Sequence, residues 1–167
     1  MKNYLFELGK KAKKASSQNI DTKRKNKVLR DFSNLIFKNR KKIIIENSKD
    51  LNQAVKKKLK SNLIQRLMIN EKKILQIINS IKKIIKLKDP VNQTLEKWQE
   101  PNGLKIEKKT ISIGVIAVIY ESRPNVTSDV ASLCFKSSNP VILKGGSEAY
   151  HSNKIFVNLF KKALKKN

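Results

Sequence analysis

Residues 110–153 read TISIGVIAVIYESRPNVTSDVASLCFKSSNPVILKGGSEAYHSN, and this stretch decides the fold. The run from Ile113 to Tyr120 is almost entirely apolar, which predicts a strand buried on both faces. Pro124 then makes the following turn stiff, because its ring fixes φ and restricts the residue before it. A helix should follow this turn and end before Pro140. Its predicted apolar face consists of Val126, Val130, Leu133 and Cys134.

A second short apolar run, Val141 to Leu143, predicts another buried strand that turns through Lys144-Gly145-Gly146-Ser147 into a new helix. Strand, helix and strand together predict a βαβ unit with parallel strands. The turns at 121–125 and 144–148 both follow the carboxyl ends of these strands, where open parallel sheets bind ligands. The predicted fold class is therefore α/β.

The chain before this unit reads as helical. Capping residues and apolar spacing predict helices over 4–15, from Asp21-Thr22 onward, over 41–59, over 61–68 and after Asn70. For the helix over 41–59 the expected buried stripe is Ile44, Leu51 and Val55. We therefore divide the chain into a helical segment (1–89), an irregular connector (90–103), and a part with a half-exposed strand at 104–109 and the βαβ unit (104–167).

The composition is strongly basic, with 38 Lys and Arg residues against 13 Asp and Glu residues and a formal net charge of +25. Such a charge suggests a polyanionic partner. However, 33 of the basic residues are lysines, and they are spread over every predicted helix. We interpret them as solvated faces, with no specific nucleic-acid partner. The alternative is a noncatalytic basic helical module, residues 1–89, that binds nucleic acid or another polyanion.

The apolar runs also bear on location. The longest is about ten residues, whereas a bilayer-spanning helix needs ~20, so no membrane association is predicted. The N-terminus lacks the pattern of a secretory signal. These features predict a soluble cytoplasmic protein.

The turn at 144–148 has two interpretations. Glycines after a buried strand let the backbone approach a ligand, and Lys144 adds positive charge, so a nucleotide ribose or phosphate could bind here. The sequence matches neither G-x-G-x-x-G nor G-x-x-x-x-G-K-[ST]. The alternative is a tight strand-to-helix turn in which Ser147 is the N-cap.

The turn at 121–125 is similarly ambiguous. An Asn125 amide beside a rigid proline can donate to an oxygen that becomes negative in a transition state, and Arg123 can bind a carboxylate or phosphate. Alternatively, Asn125 only caps the helix that follows it.

Cys134 and His151 are the only cysteine and the only histidine. One of each cannot build a Cys/His metal site, and no metal is predicted. Cys134 lies in the middle of a helix on its apolar face, whereas a catalytic thiolate needs an accessible, electropositive setting. We interpret Cys134 as a core residue.

The segments PNGLKIEKKTISIGVIAVI and YESRPNVTSDVASLCFKSSNPVILKGGSEAYHSN closely resemble the gamma-glutamyl phosphate reductase family of the aldehyde dehydrogenase superfamily. LKDPVNQ at 87–93 and NSKDLNQA at 47–54 are similar to the same family more weakly. The resemblance implies a helical N-terminal segment followed by the start of a Rossmann-like, parallel-sheet cofactor domain.

That resemblance also implies an activity, the NADPH-dependent reduction of L-glutamate 5-phosphate to L-glutamate 5-semialdehyde in proline biosynthesis. It implies oxyanion stabilisation by Asn125 and ribose binding by Lys144, with Gly146 and Ser147 in the same cofactor-binding turn. Glu121, Ser122 and Arg123 would lie along the cofactor path. A homo-oligomer is expected for the complete enzyme.

The family's nucleophilic cysteine lies in a later Ser-Thr-Cys-Asn type motif, and no segment of this chain matches it. From the resemblance we expect the chain to be the front part of such an enzyme, without the catalytic domain and inactive alone.

Overall fold

The computed structural model describes residues 2–167 and shows an α/β arrangement, as predicted. The helices are α1 (Lys2–Ser16), α2 (Thr22–Lys38), α3 (Arg40–Lys56), α4 (Ser61–Leu67), α5 (Glu71–Lys86), α6 (Pro124–Lys136) and α7 (Tyr150–Lys166), with a short 3-10 turn at Ser147–Ala149. The strands are β1 (Thr94–Gln99), β2 (Lys105–Lys109), β3 (Ile116–Tyr120) and β4 (Val141–Gly145). No helix in the described part of the chain is long and apolar enough to cross a membrane.

The main hydrophobic core lies between α2, α5 and α7. Helix α5 contributes a stripe of isoleucines, and α2 and α7 contribute Phe32 and Phe156, which have no exposed surface. Two of the predicted caps are confirmed, because Asp21 accepts from the Arg24 amide and Asn70 accepts from the Lys73 amide. The buried stripe on α5 is Ile74, Ile77, Ile78, Ile81 and Ile84, and this helix follows Asn70 as predicted.

The buried face predicted for α3 is partly wrong, because Ile44 and Leu51 do pack against the hydrophobic clusters but are only half-buried. The helix turns Ile43, Asn47, Asp50 and Ala54 inward, whereas Val55 is 60% exposed. The buried face is displaced because two polar side chains, Asn47 and Asp50, turn inward and form hydrogen bonds with backbone groups far along the chain. Asn47 donates to the Leu67 carbonyl and accepts from the Ile69 amide, at 2.9 and 2.8 Å.

The helical segment is also fastened by a buried ion pair. Lys25 Nζ lies 2.8 Å from Asp89 Oδ2, and Thr22 donates to the same oxygen at 2.7 Å. Burial works to raise the pKa of the Asp89 carboxyl, but these hydrogen bonds outweigh it and lower that pKa below its usual value. The pair joins α2 to the chain that follows α5.

The prediction of irregular chain over 90–103 is wrong at its centre. Strand β1 occupies part of this stretch and pairs antiparallel with β2, with a register irregularity between Thr94 and Glu96. Trp98 is 44% exposed and donates to Glu100 within this hairpin. Every residue of β1 is exposed. The strand therefore lacks the alternation of apolar and polar residues by which a half-buried strand is recognised in a sequence.

Strands β3 and β4 are parallel neighbours with α6 between them in sequence, which confirms the predicted βαβ unit. The prediction that β3 is buried on both faces is wrong for the described chain, because its residues alternate and Ile119 is 84% exposed. Within residues 2–167 the pair forms a two-stranded sheet, which leaves one face of β3 open. The predicted face of α6 is partly wrong too, since Leu133 is 48% exposed.

Candidate functional site

The two predicted turns lie at the same end of the parallel strands. Tyr120 at the end of β3 is paired in register with Gly145 at the end of β4. Just beyond them, Ser122 Oγ donates to Glu148 Oε2 across 3.2 Å. This contact joins the turn at 121–124 to the turn at 145–148. A ligand at the carboxyl edge of this sheet would therefore meet both turns.

The first turn is tight, and its side chains differ in their exposure to solvent. The Arg123 amide donates to the Glu121 carbonyl at 2.6 Å, and Ser122 is buried. Glu121 and Arg123 are exposed. Helix α6 then begins at Pro124, where the missing N–H costs no helical hydrogen bond.

Asn125 does not cap α6, so the interpretation of this residue as a cap is wrong. The N-cap position is Arg123, and no side chain accepts there. Asn125 lies inside the first turn, and its Nδ2 donates to Asp129 Oδ2 at 3.3 Å. Burial raises the pKa of the Asp129 carboxyl, and the Asn125 bond opposes this shift. The Asn125 amide is partly exposed at the start of a helix, where it can donate to a ligand oxygen.

The glycine turn is crowded at the positions that lack a side chain. A Cβ on Gly145 would collide with the Asn153 amide, and one on Gly146 would lie 2.5 Å from Glu148 Oε2. Ser147 is not an N-cap, because it opens the 3-10 turn and its hydroxyl contacts Glu148 at 3.4 Å. The alternative is therefore wrong about the cap, but the tight turn from strand to helix that it also predicted is present.

A polar network behind the turns was missed by sequence reasoning. Thr127 Oγ1 lies 2.6 Å from the Tyr120 hydroxyl and donates to Asn153 Oδ1 at 2.8 Å. Thr127 is almost fully buried, and burial raises the pKa of Tyr120. The network joins β3, α6 and α7. Its members are 7 and 26 residues apart, so no local pattern could have signalled it.

Positive charge surrounds this edge. Lys144 is exposed at the end of β4, and Lys57 helps to lower the pKa of Glu148, after the larger effect of the Glu148 backbone amide. Burial lowers the pKa of Lys73, and the charge of Arg123 adds to that effect. Arg123 and Lys144 lie on the two turns with Lys57 and Lys73 nearby, and these cations outnumber Glu121 and Glu148, which favours an anionic ligand.

Cys134 lies away from the turns, on α6. It is 7% exposed, and burial raises the pKa of its thiol, so the interpretation of Cys134 as a core residue is confirmed. Within residues 2–167 no three His, Cys, Asp or Glu side chains are grouped as metal ligands.

Comparison with known proteins identifies relatives along the whole chain. No family model matches. A gamma-glutamyl phosphate reductase from a Nitratiruptor strain is 48% identical over 160 residues, which are 95% of this chain and 39% of the relative. The crystal structure of gamma-glutamyl phosphate reductase from Thermotoga maritima superposes with a TM-score of 0.94 at 38% identity. The match covers 98% of this chain and 40% of that chain. Along nearly its whole length, the chain is thus similar to one part of the gamma-glutamyl phosphate reductases.

The chain spans about two fifths of the length of these gamma-glutamyl phosphate reductases. A more distant similarity concerns the fold alone. A probable aldehyde dehydrogenase from Listeria monocytogenes superposes with a TM-score of 0.65 at 14% identity, covering 98% of this chain and 33% of that one. The resemblance found in the motifs at 47–54, 87–93 and 101–153 is confirmed by these relatives over nearly the whole sequence.

Proposed function

We propose that the whole protein reduces L-glutamate 5-phosphate to L-glutamate 5-semialdehyde with NADPH, a step of proline biosynthesis in the cytoplasm. The family supports the reaction class. The observation that carries the proposal is the contact of the two turns at the carboxyl edge of β3 and β4, through Ser122 and Glu148. This edge is where parallel sheets bind nucleotides.

The residues of this edge fit a dinucleotide. Gly145 and Gly146 stand in a turn that has no room for a Cβ beside Asn153 and Glu148, and both glycines are partly exposed, so a ligand could approach their backbone. Exposed Lys144 and Ser147 would bind ribose and phosphate oxygens, and Glu121, Ser122 and Arg123 would lie along the cofactor path. NADPH, when bound, supplies the hydride.

Asn125 would donate its amide to the substrate oxygen that becomes negative as a nucleophile attacks the acyl phosphate. Buried Cys134 is unsuited to be that nucleophile. In this proposal the nucleophilic thiolate comes from outside residues 1–167. Residues 104–167 are part of the cofactor domain, after the helical segment 1–89 and the connector 90–103, and the whole protein forms a homo-oligomer.

The test is NADPH binding by the purified chain, followed by nicotinamide fluorescence at about 0.15 M salt, where Debye screening weakens diffuse attraction. Lys144→Ala should weaken binding by about 10-fold or more, as expected for loss of a charge-assisted bond. Lys82→Ala removes an exposed lysine from α5 and is the matched control.

Equal affinity of the two variants would refute the role of Lys144. It would instead favour diffuse attraction by the lysine-rich faces. The same experiment with heparin examines the alternative, a polyanion-binding helical module. Binding to such a module should fall steeply with salt, and it should respond to Lys82→Ala, which lies within residues 1–89, but not to Lys144→Ala.

A further inference from the structure

Asn153, in the first turn of α7, has a side-chain amide that is hydrogen-bonded through its oxygen alone. The Oδ1 atom accepts from Thr127 Oγ1 at 2.8 Å. The Nδ2 group carries two N–H donors, but it makes no hydrogen bond within residues 2–167. Asn153 is half-buried, and its Nδ2 is not one of the enclosed polar atoms without a partner, so solvent or a ligand can reach it.

A chain of hydrogen bonds fixes the orientation of this amide. Thr127 has one hydroxyl hydrogen and donates it to Asn153, so the Tyr120 hydroxyl, 2.6 Å away, donates to Thr127. Burial raises the pKa of Tyr120, so this hydroxyl keeps the proton that it donates. Thr127 is almost fully buried, and water does not compete for these bonds. Thr127 thus holds the Asn153 oxygen, and the two hydrogens on Nδ2 stay available.

The available N–H groups lie beside the end of β4. A Cβ on Gly145 would collide with Asn153 Nδ2 and would lie 3.0 Å from the Tyr120 hydroxyl oxygen. Gly145 is paired in register with Tyr120, so both residues lie at the carboxyl edge where β3 and β4 end. Asn153 therefore reaches, from α7, the same edge as the glycine turn. A ligand bound at this edge is within reach of its donors.

The charges at this edge indicate which group of a ligand these donors would meet. Arg123 and Lys144 are exposed on the two turns, and cations attract the phosphates of a nucleotide. The phosphate oxygens of a nucleotide are charged acceptors, which form stronger hydrogen bonds than neutral ones. They therefore suit an amide nitrogen that has two hydrogens to donate.

We propose that Asn153 donates its Nδ2 hydrogens to a phosphate oxygen of a bound nucleotide, and that Thr127 holds the amide in this orientation. The inference rests on the proposed function, since it takes this edge of the sheet as the cofactor site. Asn153 is then a cofactor-binding residue, and Thr127 is a positioning residue that acts through it. The lack of a side chain at Gly145 leaves the space that the Asn153 amide occupies.

NMR spectroscopy observes the proposed donor directly. The side-chain NH2 signals of Asn153 should shift on titration with NADPH and with ADP, which has phosphates, but not with adenosine, which has none. The control is Asn158, an exposed asparagine on the same helix, whose NH2 signals should stay in place. Unshifted Asn153 signals in a chain that binds NADPH overturn the proposal, and so do equal shifts of both asparagines. A shift with adenosine overturns the assignment to a phosphate.

Two matched variants measure the contribution to affinity. Asn153→Asp keeps an oxygen that can accept from Thr127 but removes both donors, and Asn158→Asp makes the same change of charge at an exposed position. At about 0.15 M salt, Asn153→Asp should bind NADPH about 10-fold or more weakly, as expected for loss of a hydrogen bond to a charged group. Asn158→Asp should remain within about 2-fold of the unmodified chain, because diffuse attraction is screened. Equal affinities of the two variants would refute the role of Asn153.

The role of Thr127 has its own test. Thr127→Val keeps the shape of the side chain but removes its hydroxyl, so NADPH binding should weaken several-fold. Thr127→Ser, which keeps the hydroxyl, should restore the affinity. Circular dichroism establishes that each variant is folded. Equal NADPH affinity of the valine and serine variants would refute the positioning role.

The probes separate this inference from the proposed function. NADPH binding that leaves the Asn153 signals unshifted and is unaffected by Asn153→Asp would refute only the role of Asn153. Asn153 shifts with ADP, in a chain that does not bind NADPH, would support Asn153 as a phosphate ligand and refute the NADPH assignment. Absence of binding by both nucleotides would overturn the two together.

Discussion

Asp50 on α3 caps the start of α7 through Ser152, 102 residues further along the chain. One carboxylate oxygen accepts from the Ser152 amide and hydroxyl at 2.8 and 2.7 Å, and the other accepts from the His151 amide at 3.0 Å. Both Asp50 and Ser152 are completely buried. The start of α7, which follows directly from the glycine turn, is thus positioned from the helical segment.

Asp50→Ala should lower the free energy of unfolding by about 2–4 kcal/mol, because it removes a cap and leaves buried donors unpaired. Urea denaturation measures this loss. Ser48→Ala, at an exposed position of the same helix, is the control and should change the free energy by less than about 0.5 kcal/mol. Similar losses in the two variants would contradict the capping role.

Asp89→Asn should destabilise the chain by about 3 kcal/mol, because it leaves the buried ammonium of Lys25 without its counterion. The double variant Lys25→Met/Asp89→Asn should recover much of this loss. A double variant less stable than Asp89→Asn alone would argue against this explanation.

The same pair predicts a pH dependence. The pKa of Asp89 is lowered in the folded chain from the usual 3.8. Its contribution is therefore complete above pH 3.8 and is lost as the pH falls through the lower folded value. Urea midpoints of the chain and of Asp89→Asn should converge on acidification, and a gap that persists at low pH would contradict the assignment.

Asp129→Asn should raise stability at neutral pH, by up to about 1 kcal/mol, because it removes a partly buried charge with an unpaired oxygen. The folded pKa of Asp129 is raised, so this carboxyl destabilises the fold more as the pH rises through that value. The gain should vanish near pH 3.8 and below. Thermal melts across this range test it, and a loss of stability at neutral pH would contradict the prediction.

Cys134 should react slowly with a disulfide reagent such as DTNB in the folded chain and at least about 10²-fold faster in urea. Its burial and raised pKa both reduce the amount of accessible thiolate. Thiol release followed by absorbance measures the two rates. Equal rates would show that the thiol is accessible in the folded protein.

Gly146→Ala should reduce NADPH affinity about 10-fold while changing stability by less than about 1 kcal/mol. Its extended backbone suits alanine, but the new Cβ would displace the Glu148 carboxylate, which is the end of a flexible side chain. Fluorescence titration and urea denaturation together test this. A large stability loss with unchanged affinity would indicate a purely structural glycine.

Local signals predicted the helices and the βαβ unit well. The caps at Asp21 and Asn70 and the isoleucine stripe of α5 are determined by neighbours within a few residues. The register of α3 was mispredicted because Asn47 and Asp50 face inward to reach distant backbone groups. Apolar spacing cannot detect a polar residue that is buried for the sake of a remote partner.

The candidate site likewise combines features set by neighbouring residues with contacts between remote ones. The two turns and the glycines were visible in the sequence because prolines and glycines constrain the local backbone. The contact of Ser122 with Glu148, 26 residues further along the chain, depends instead on how the two strands are placed side by side. The roles of Asn125, Lys144 and Ser147 remain predictions.

The long separation between Asp50 and Ser152 has a consequence during synthesis. A ribosome delivers α3 about 100 residues before the partner that satisfies its buried carboxylate. Until α7 has been synthesised, the Asp50 carboxylate must stay hydrated, and the face of α3 that packs against α7 stays exposed to water. Translation adds roughly 5–20 residues per second, so the nascent helical segment lacks its α7 contacts for several seconds. Its many lysines would keep that waiting chain dispersed by mutual repulsion.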